Sequence, residues 1–580
     1  PELVGERAHP KTCGELRASW EKGRVLMEGH GAQGAGNFFG GADTVGQFSI
    51  SADQYNGLWR LWGLSERPDN FDELMAERYG LPKTQRRNPY PLPGEDPNAT
   101  NGGSGQLSAF FTQIRTPDGG WTGEIGLTCH GCHSSHIGDP ADGSGPGLLY
   151  GLGNALADTG LTGRDLGLAG YSPIAVFSLF GTSRGTNNAS DVNLFFLLSQ
   201  DDGVRLDAYT LGVLLSGMTG SGDTPQWWNL GSRVLKFQDG FFAADASRVD
   251  LIFYNPLGDA NRNAWIREHA PAANDWILSL KAPEYPLPID TALAEQGAIL
   301  FHSKDLWAEG LDNPAPRPAG GNGSCASCHG AYSPRYINDP NFLADPTLEG
   351  VASYVVPLSV IRTDSARVDT NNEAVNQYGS TSFLGYSETV GTAQDCGPQQ
   401  RAEIRGEREF GYLAPPLYGV WASAPYLHNG SIPDLWSLLK PDERPALWRR
   451  VSTPARADQQ GRVVMGFDTH LLRAYDPERG GWRYETLSCG TGTLPFIDCD
   501  PLGGDSDPLV QQFLAALYGN VLVAWNIGNL PVLTQWTPQQ IENRKIYNTH
   551  LFSQGNEGHD FTAVLTDAER RALIEYMKTL

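Results

Sequence analysis

Positive charge is in short supply in this 580-residue chain: 43 Lys and Arg stand against 66 Asp and Glu, a formal net charge of -23. A field of that sign repels phosphate backbones and anionic lipid, which disfavours nucleic acid and anionic membrane surfaces as partners. Long apolar runs are missing as well. No stretch approaches roughly 18 consecutive apolar residues, so no transmembrane segment is expected. Methionine (5), cysteine (8) and histidine (12) are all scarce, so any thioether, thiol or imidazole ligand must come from a short roster. Short-period repeats and sustained apolar/polar alternation are lacking too, which argues against a solenoid or a sheet-built domain. The sequence opens at Pro1 without Met and without a basic-then-apolar leader. That pattern predicts a mature exported chain, periplasmic or secreted, whose signal peptide has been removed.

Glycine and proline, by contrast, are plentiful at 69 and 39. This composition predicts turns and long connections, and with the helical signals below the expected fold class is mainly α with long loops. The length exceeds one ordinary core, so two domains with large insertions are expected. The best break is the connector at 281–290, where Pro283, Pro286 and Pro288 favour extended chain. It divides residues 1–285 from 286–580. Asp290 is placed to cap a helix through Leu293, Gln296, Gly297, Leu300 and Phe301. Thr566 and Glu569 form a capping-box pattern ahead of a last helix with Leu573, Ile574, Met577 and Leu580 on one face. Leu194–Leu198 and Leu211–Leu215 read as buried helical pieces, and 88–105, 310–324 and 487–507 as loops.

Half of the cysteines fall in two CxxCH motifs, Cys129-His130-Gly131-Cys132-His133 and Cys325-Ala326-Ser327-Cys328-His329. Two thiols at this spacing reach the two vinyl groups of a haem, and the next residue brings an imidazole to the iron. The competing reading is zinc, but zinc ribbons bring their second Cys pair within about 15 to 20 residues, whereas these pairs begin at 129 and 325. The motifs therefore predict two covalently bound haem c groups with His133 and His329 as proximal iron ligands. Cys13, Cys396, Cys489 and Cys499 remain, enough for two disulfides in three connectivities, with Cys489–Cys499 favoured as the local pair.

The sixth ligand of each iron decides the chemistry, because two strong ligands favour electron transfer and an open side admits dioxygen or peroxide. Candidates are His9, His30, His130, His136, His269, His302, His428, His470, His550 and His559, with the five Met residues as a thioether option.

The run PPLYGVWASAPYLHNG from Pro415 to Gly430, together with the two motifs, resembles the dihaem cytochrome c peroxidase superfamily. CHGAYSPRY (Cys328 to Tyr336), RGTNN (Arg184 to Asn188), DTPQWWN (Asp223 to Asn229) and GHDF (Gly558 to Phe561) are similar to its oxygenase branch, which holds rubber oxygenases and bacterial fatty-acid dioxygenases and diol synthases. The resemblance runs from about residue 110 to the C-terminus. It implies two cytochrome c-type haem domains, the N-terminal haem as the reaction centre with an open distal side and the C-terminal haem as a bis-histidine electron-transfer centre. His559 is the residue it matches to that second distal ligand, with His428 as runner-up. Trp227 and Trp228 match aromatic residues between the haems, and Phe241 and Phe242 match the region of a distal-pocket phenylalanine. A peroxidase would want a polar acid/base group there; Asp239 and Asp245 are the nearby carboxylates and read equally well as solvent-facing.

The implied activity is dioxygenation of a C=C bond in a lipophilic substrate, an unsaturated fatty acid such as oleate giving a hydroperoxide, ahead of oxidative cleavage of polyisoprene. A peroxidase reducing hydrogen peroxide is the reading from another reaction class. Implied partners are dioxygen, the lipophilic substrate and a small redox protein as donor. Arg184 or Arg233 would serve as carboxylate anchor. Calcium between the domains, found in some members of the superfamily, would need a loop of clustered carboxylates, and none stands out.

Overall fold

The computed structural model describes residues 12–28, 49–83, 107–116, 121–170, 183–188, 199–200, 203–204, 221–254 (without 234 and 245), 260–332, 354–370, 383–384, 410–490 and 535–580 (without 552). Two crossed helix pairs organise it. The Cys13–Glu28 helix packs on Ala260–Ser279, and Thr291–Ser303 packs on Asp567–Met577. Both crossings use one device. A Cβ on Gly23 would lie 1.9 Å from the Ala272 carbonyl oxygen and 2.7 Å from Trp276 Cβ; on Gly297 it would lie 1.9 Å from the Ala572 oxygen and 2.7 Å from Tyr576 Cβ. Each glycine thus lets its helix touch a neighbouring backbone at an Ala followed four residues later by an aromatic. Glycine inside a helix costs about 0.5–1 kcal/mol relative to alanine, and the close approach offsets it.

The helix starts follow their expected caps. The Asp290 carboxylate accepts the N–H groups of Ala292 and Leu293 at 3.1 and 3.0 Å, and Thr566 with Glu569 closes a full capping box. Leu573, Ile574 and Met577 are buried in one cluster, against which Leu580 packs. The connector 281–290 is irregular, as is 310–324. The expected pieces at 194–198 and 211–215 and the loop at 88–105 lie outside the described residues, as does the 491–507 part of the last loop.

Strands occur where alternation was not legible. Trp121–Leu127 pairs antiparallel with Phe111–Arg115 on one side and Ile50–Ser51 on the other, and Leu447–Arg450 pairs with Tyr484–Thr486 and Ile546–Asn548. Gly123 and Gly126 dilute the pattern in the first sheet. In the second, Arg450 is buried between the rings of Phe467 and Trp482, so a charged residue stands where an apolar one would signal the inward face.

Among the described residues three large apolar cores form, beside two small clusters. One gathers Phe301, Trp228, Trp421, Ile574 and Met577, with Cys325 against it; a second gathers Phe241, Phe242, Ile266 and Trp276, with Cys129 and Trp227 against it. The third is built from residues 50–166 but also takes Val463, Met465, Trp536 and Ile541. Late chain therefore completes an early core, locked by the buried Arg544–Asp158 ion pair at 2.6 Å. Cys13 and Cys489 are disulfide-bonded; Cys396 and Cys499 lie outside the described residues, and the favoured Cys489–Cys499 pairing with them. Among the described residues no helix is long and apolar enough to cross a membrane.

Candidate functional site

The first CxxCH motif follows directly on the Trp121–Leu127 strand and forms the one-turn helix His130–His133. Its loop is held from behind. The Asn154 amide donates to the Gly131 and Gly80 carbonyls at 2.7 and 2.9 Å, while the Asn154 backbone N–H donates to the Cys132 carbonyl at 2.8 Å. Gly131 lies so close to the Phe110 ring that a Cβ there would sit 2.2 Å from it. His130, inside the motif, has both ring nitrogens engaged, by Ser134 Oγ and the Met27 carbonyl, each at 2.8 Å, so it is a structural residue.

His133 differs: its buried Nδ1 has no hydrogen-bond partner among the described residues. Burial first, and the neighbouring His130 second, pull its pKa down to about 3, which keeps the imidazole neutral. Its ring stacks on Trp227 with centroids 4.4 Å apart and planes 14° from parallel. The Pro225 carbonyl faces the ring and works in the opposite direction, without a hydrogen bond of good geometry closing on Nδ1. Phe241 and Phe242 are each 2% exposed, with ring centroids 4.6 Å apart, in the core that also carries Cys129 and Trp227.

The second motif forms the Ala326–His329 turn. The Asn322 side chain accepts from the Ser324 N–H and Ser327 Oγ and donates to the His302 carbonyl. His302 is spent in turn, its Nδ1 on the Ala298 carbonyl and its Nε2 on the Tyr332 N–H. His329 Nδ1 donates to the Pro415 carbonyl at 2.8 Å. That bond fixes the tautomer and leaves Nε2 with a lone pair, the form that binds a metal. Tyr332 clamps the same place, its hydroxyl donating to the His329 carbonyl and accepting from the Leu417 N–H.

A cavity of about 240 Å³ opens against this turn, and Cys325, Cys328, His329, His559 and His428 all line it. His559 is held in the left-handed region at φ 54°, with its N–H on the Ile361 carbonyl at 2.8 Å. Arg444 donates to the Gly558 and Asn556 carbonyls and fixes the turn from outside. Burial, then the nearby His329, push the His559 pKa down to about 3, and its buried Nδ1 has no hydrogen-bond partner among the described residues. Two thiols and two neutral imidazoles on one largely apolar cavity fit a haem c attached at Cys325 and Cys328 with His329 and His559 as its iron ligands. His428 stacks on Tyr412 at 3.9 Å, with its pKa also lowered to about 3 by burial.

Trp227 and Trp228 belong to different cores. Trp227 packs in the core of Cys129, while Trp228 is buried in the core of Cys325 and donates its indole N–H to the Tyr418 carbonyl at 2.9 Å. Asp239, for which a solvent-facing place is one of the two sequence readings, is buried and paired with Arg367 at 3.1 Å. Asp245 lies outside the described residues. Arg184 is no anchor either, because its guanidinium donates to the Leu156, Arg78 and Glu77 carbonyls. Arg233 does line the cavity, where it donates to the Phe237 carbonyl and keeps a buried Nε without a partner among the described residues. Sequence reading missed Pro225 and Pro415, which act through their carbonyls, and Asn154 and Arg444, whose side chains donate to backbone carbonyls. Only the position of Pro415 at the head of the PPLYGVW run carried a signal.

Comparison with known proteins adds an independent observation. The profile of the family described as RoxA-like, cytochrome c-like matches residues 411–449, which contain Pro415, His428 and Arg444. Two relatives from Sinorhizobium fredii, both described as uncharacterized, are similar to parts of the chain. The protein y4iM is 62% identical over 272 residues, covering 44% of this chain and 52% of its own length, and y4iJ is 26% identical over 245 residues, covering 38% and 37%. The chain thus spans about half or less of the length of these relatives. The matched segment is similar to RoxA-like cytochrome c domains, and a cytochrome c-like segment implies haem c with its iron.

Proposed function

We propose that this chain is a dihaem c-type oxygenase, with 1–285 and 286–580 as its N- and C-terminal haem domains, and that it dioxygenates an unsaturated fatty acid such as oleate. The observation that carries the reading is the unequal setting of the two proximal histidines. His329 shares its cavity with a second neutral imidazole, His559, whereas His133 is stacked on Trp227 in a core rich in Phe side chains. Two imidazoles saturate an iron and suit electron transfer; an apolar surround suits dioxygen and a hydrocarbon chain.

Haem c, when bound, supplies an iron that cycles between ferric and ferrous states and reacts with dioxygen where a coordination site is open. The chain's residues do the rest. Phe241 and Phe242 exclude water around the first motif, Trp227 and Trp228 link the two apolar cores as a path for an electron, and the cavity-lining Arg233 is the remaining carboxylate anchor. The disulfides at Cys13 and Cys489 support an oxidising, periplasmic or secreted setting.

Carbon monoxide added to the reduced protein tests the reading. One of the two haems should bind it. Binding at neither would leave a pure electron-transfer protein, and rapid peroxide turnover without oxygen uptake on oleate would decide for a peroxidase.

A further inference from the structure

Asp223 is an acid in an unusual position. It lines the same cavity as Cys325, Cys328, His329 and His559, and its backbone N–H is tied to the His428 carbonyl at 2.8 Å. Gln238 holds it from the other side, donating to the Asp223 carbonyl. No cationic side chain pairs with its carboxylate among the described residues. Arg233 lines the cavity too, but the carboxylate facing it is Asp239, which is itself paired with Arg367. Among the described residues the other titratable groups around Asp223 are Tyr426 and Tyr547, whose hydroxyls are engaged with backbone carbonyls, and His428, kept neutral by burial. Burial holds the Asp223 carboxyl well above the ordinary carboxylate range, opposed only by the Thr224 backbone N–H.

We propose that Asp223 is a proton acceptor coupled to reduction at the C-terminal haem site: one electron entering this cavity from a one-electron donor is matched by one proton taken from solvent onto its carboxylate. The proposal rests on haem attachment at Cys325 and Cys328. In a low-dielectric cavity with no cationic partner among the described residues, an added negative charge raises the acid's proton affinity further, so the proton is taken up at pH values between its pKa in the oxidised and in the reduced protein. Electron and proton then enter together, and the cavity gains no net charge. Deprotonation on reoxidation returns the proton to solvent.

The test is a redox titration of the holoprotein with dye mediators at a series of pH values, after haem has been counted by its pyridine adduct and located by mass spectrometry. The bis-histidine haem should become harder to reduce as pH rises, approaching tenfold per pH unit, or about 59 mV, across the window in which Asp223 titrates. Asp223→Asn should flatten that dependence and leave the other haem unchanged, while Asp223→Glu should retain a slope. In the wild-type protein at a pH inside that window, a reduced-minus-oxidised infrared spectrum should show a protonated carboxyl stretch appearing on reduction, a readout that needs no variant. A wild-type potential independent of pH, or an Asp223→Asn protein that keeps the full slope through the haem propionates, would overturn the proposal alone. Absence of haem at Cys325 and Cys328 would overturn both it and the dihaem reading.

Discussion

The indole of Trp227 lies flat on the imidazole of His133, 4.4 Å between ring centroids and 14° between planes, and the next residue, Trp228, belongs to the other haem motif's core. One dipeptide therefore touches His133 of the first motif and the packing around the second. Replacing Trp227 by Phe keeps an apolar ring but loses part of the stack. On the dihaem reading, electron exchange between the two centres should slow at least severalfold, while haem content stays at two. Flash photolysis of the CO-bound, partly reduced protein measures that rate directly, and an unchanged rate would remove Trp227 from the path.

His559 carries a different expectation. Its ring enters the cavity from a left-handed turn pinned by Arg444 and Ile361, so trimming it to alanine leaves the turn's outer bonds in place. On the dihaem reading, His559→Ala should convert a protein with one CO-reactive haem into one with two. The same substitution at His428 should leave the number at one, because His428 is occupied in stacking on Tyr412. The reverse result would exchange the two assignments.

What was legible and what was not follows from where the information sits. Side chains that do chemistry announce themselves: the CxxCH spacing, the Asp290 cap and the Thr566–Glu569 box are local patterns, and each forms within a few residues of itself. His559 was legible only through family resemblance, since nothing within GHDF says that residues 230 positions away in sequence will share its cavity. The glycine crossings, the Pro225 and Pro415 carbonyls and the Asn154 clamp are contacts between distant segments made largely through backbone, which every residue type carries. The Leu447–Arg450 strand was hidden because its inward position is a guanidinium packed between two rings.

Those crossings give a stability prediction. A methyl group at position 297 would overlap the Ala572 carbonyl, and one at 23 the Ala272 carbonyl, each at 1.9 Å. Backbone cannot step aside as a flexible side chain can, so the helices must separate. Gly297→Ala and Gly23→Ala should each cost about 1–3 kcal/mol despite alanine's better helix propensity. Chemical denaturation of the holoprotein measures this. Any gain in stability would mean that the helices do not pack this closely.

Asp364 sets a pH dependence whose sign can be worked out. Burial raises its pKa from 3.8 to about 6, even though its carboxylate accepts the N–H groups of Ala366 and Gly555. Between the unfolded value near 3.8 and the folded value near 6, the folded protein binds more protons than the unfolded chain. Unfolding free energy therefore falls as pH rises through this window. The full contribution is present below pH 3.8 and lost above 6, on the order of 3 kcal/mol. Asp364→Asn removes the titration and should flatten this component, whatever fixed offset its altered hydrogen bonding adds. Buried neutral histidines such as His428 act in the opposite direction near their unfolded value of 6.5, so the comparison is the difference between wild-type and variant profiles across pH 4 to 6. A variant that keeps the wild-type slope would show that Asp364 is ionised throughout.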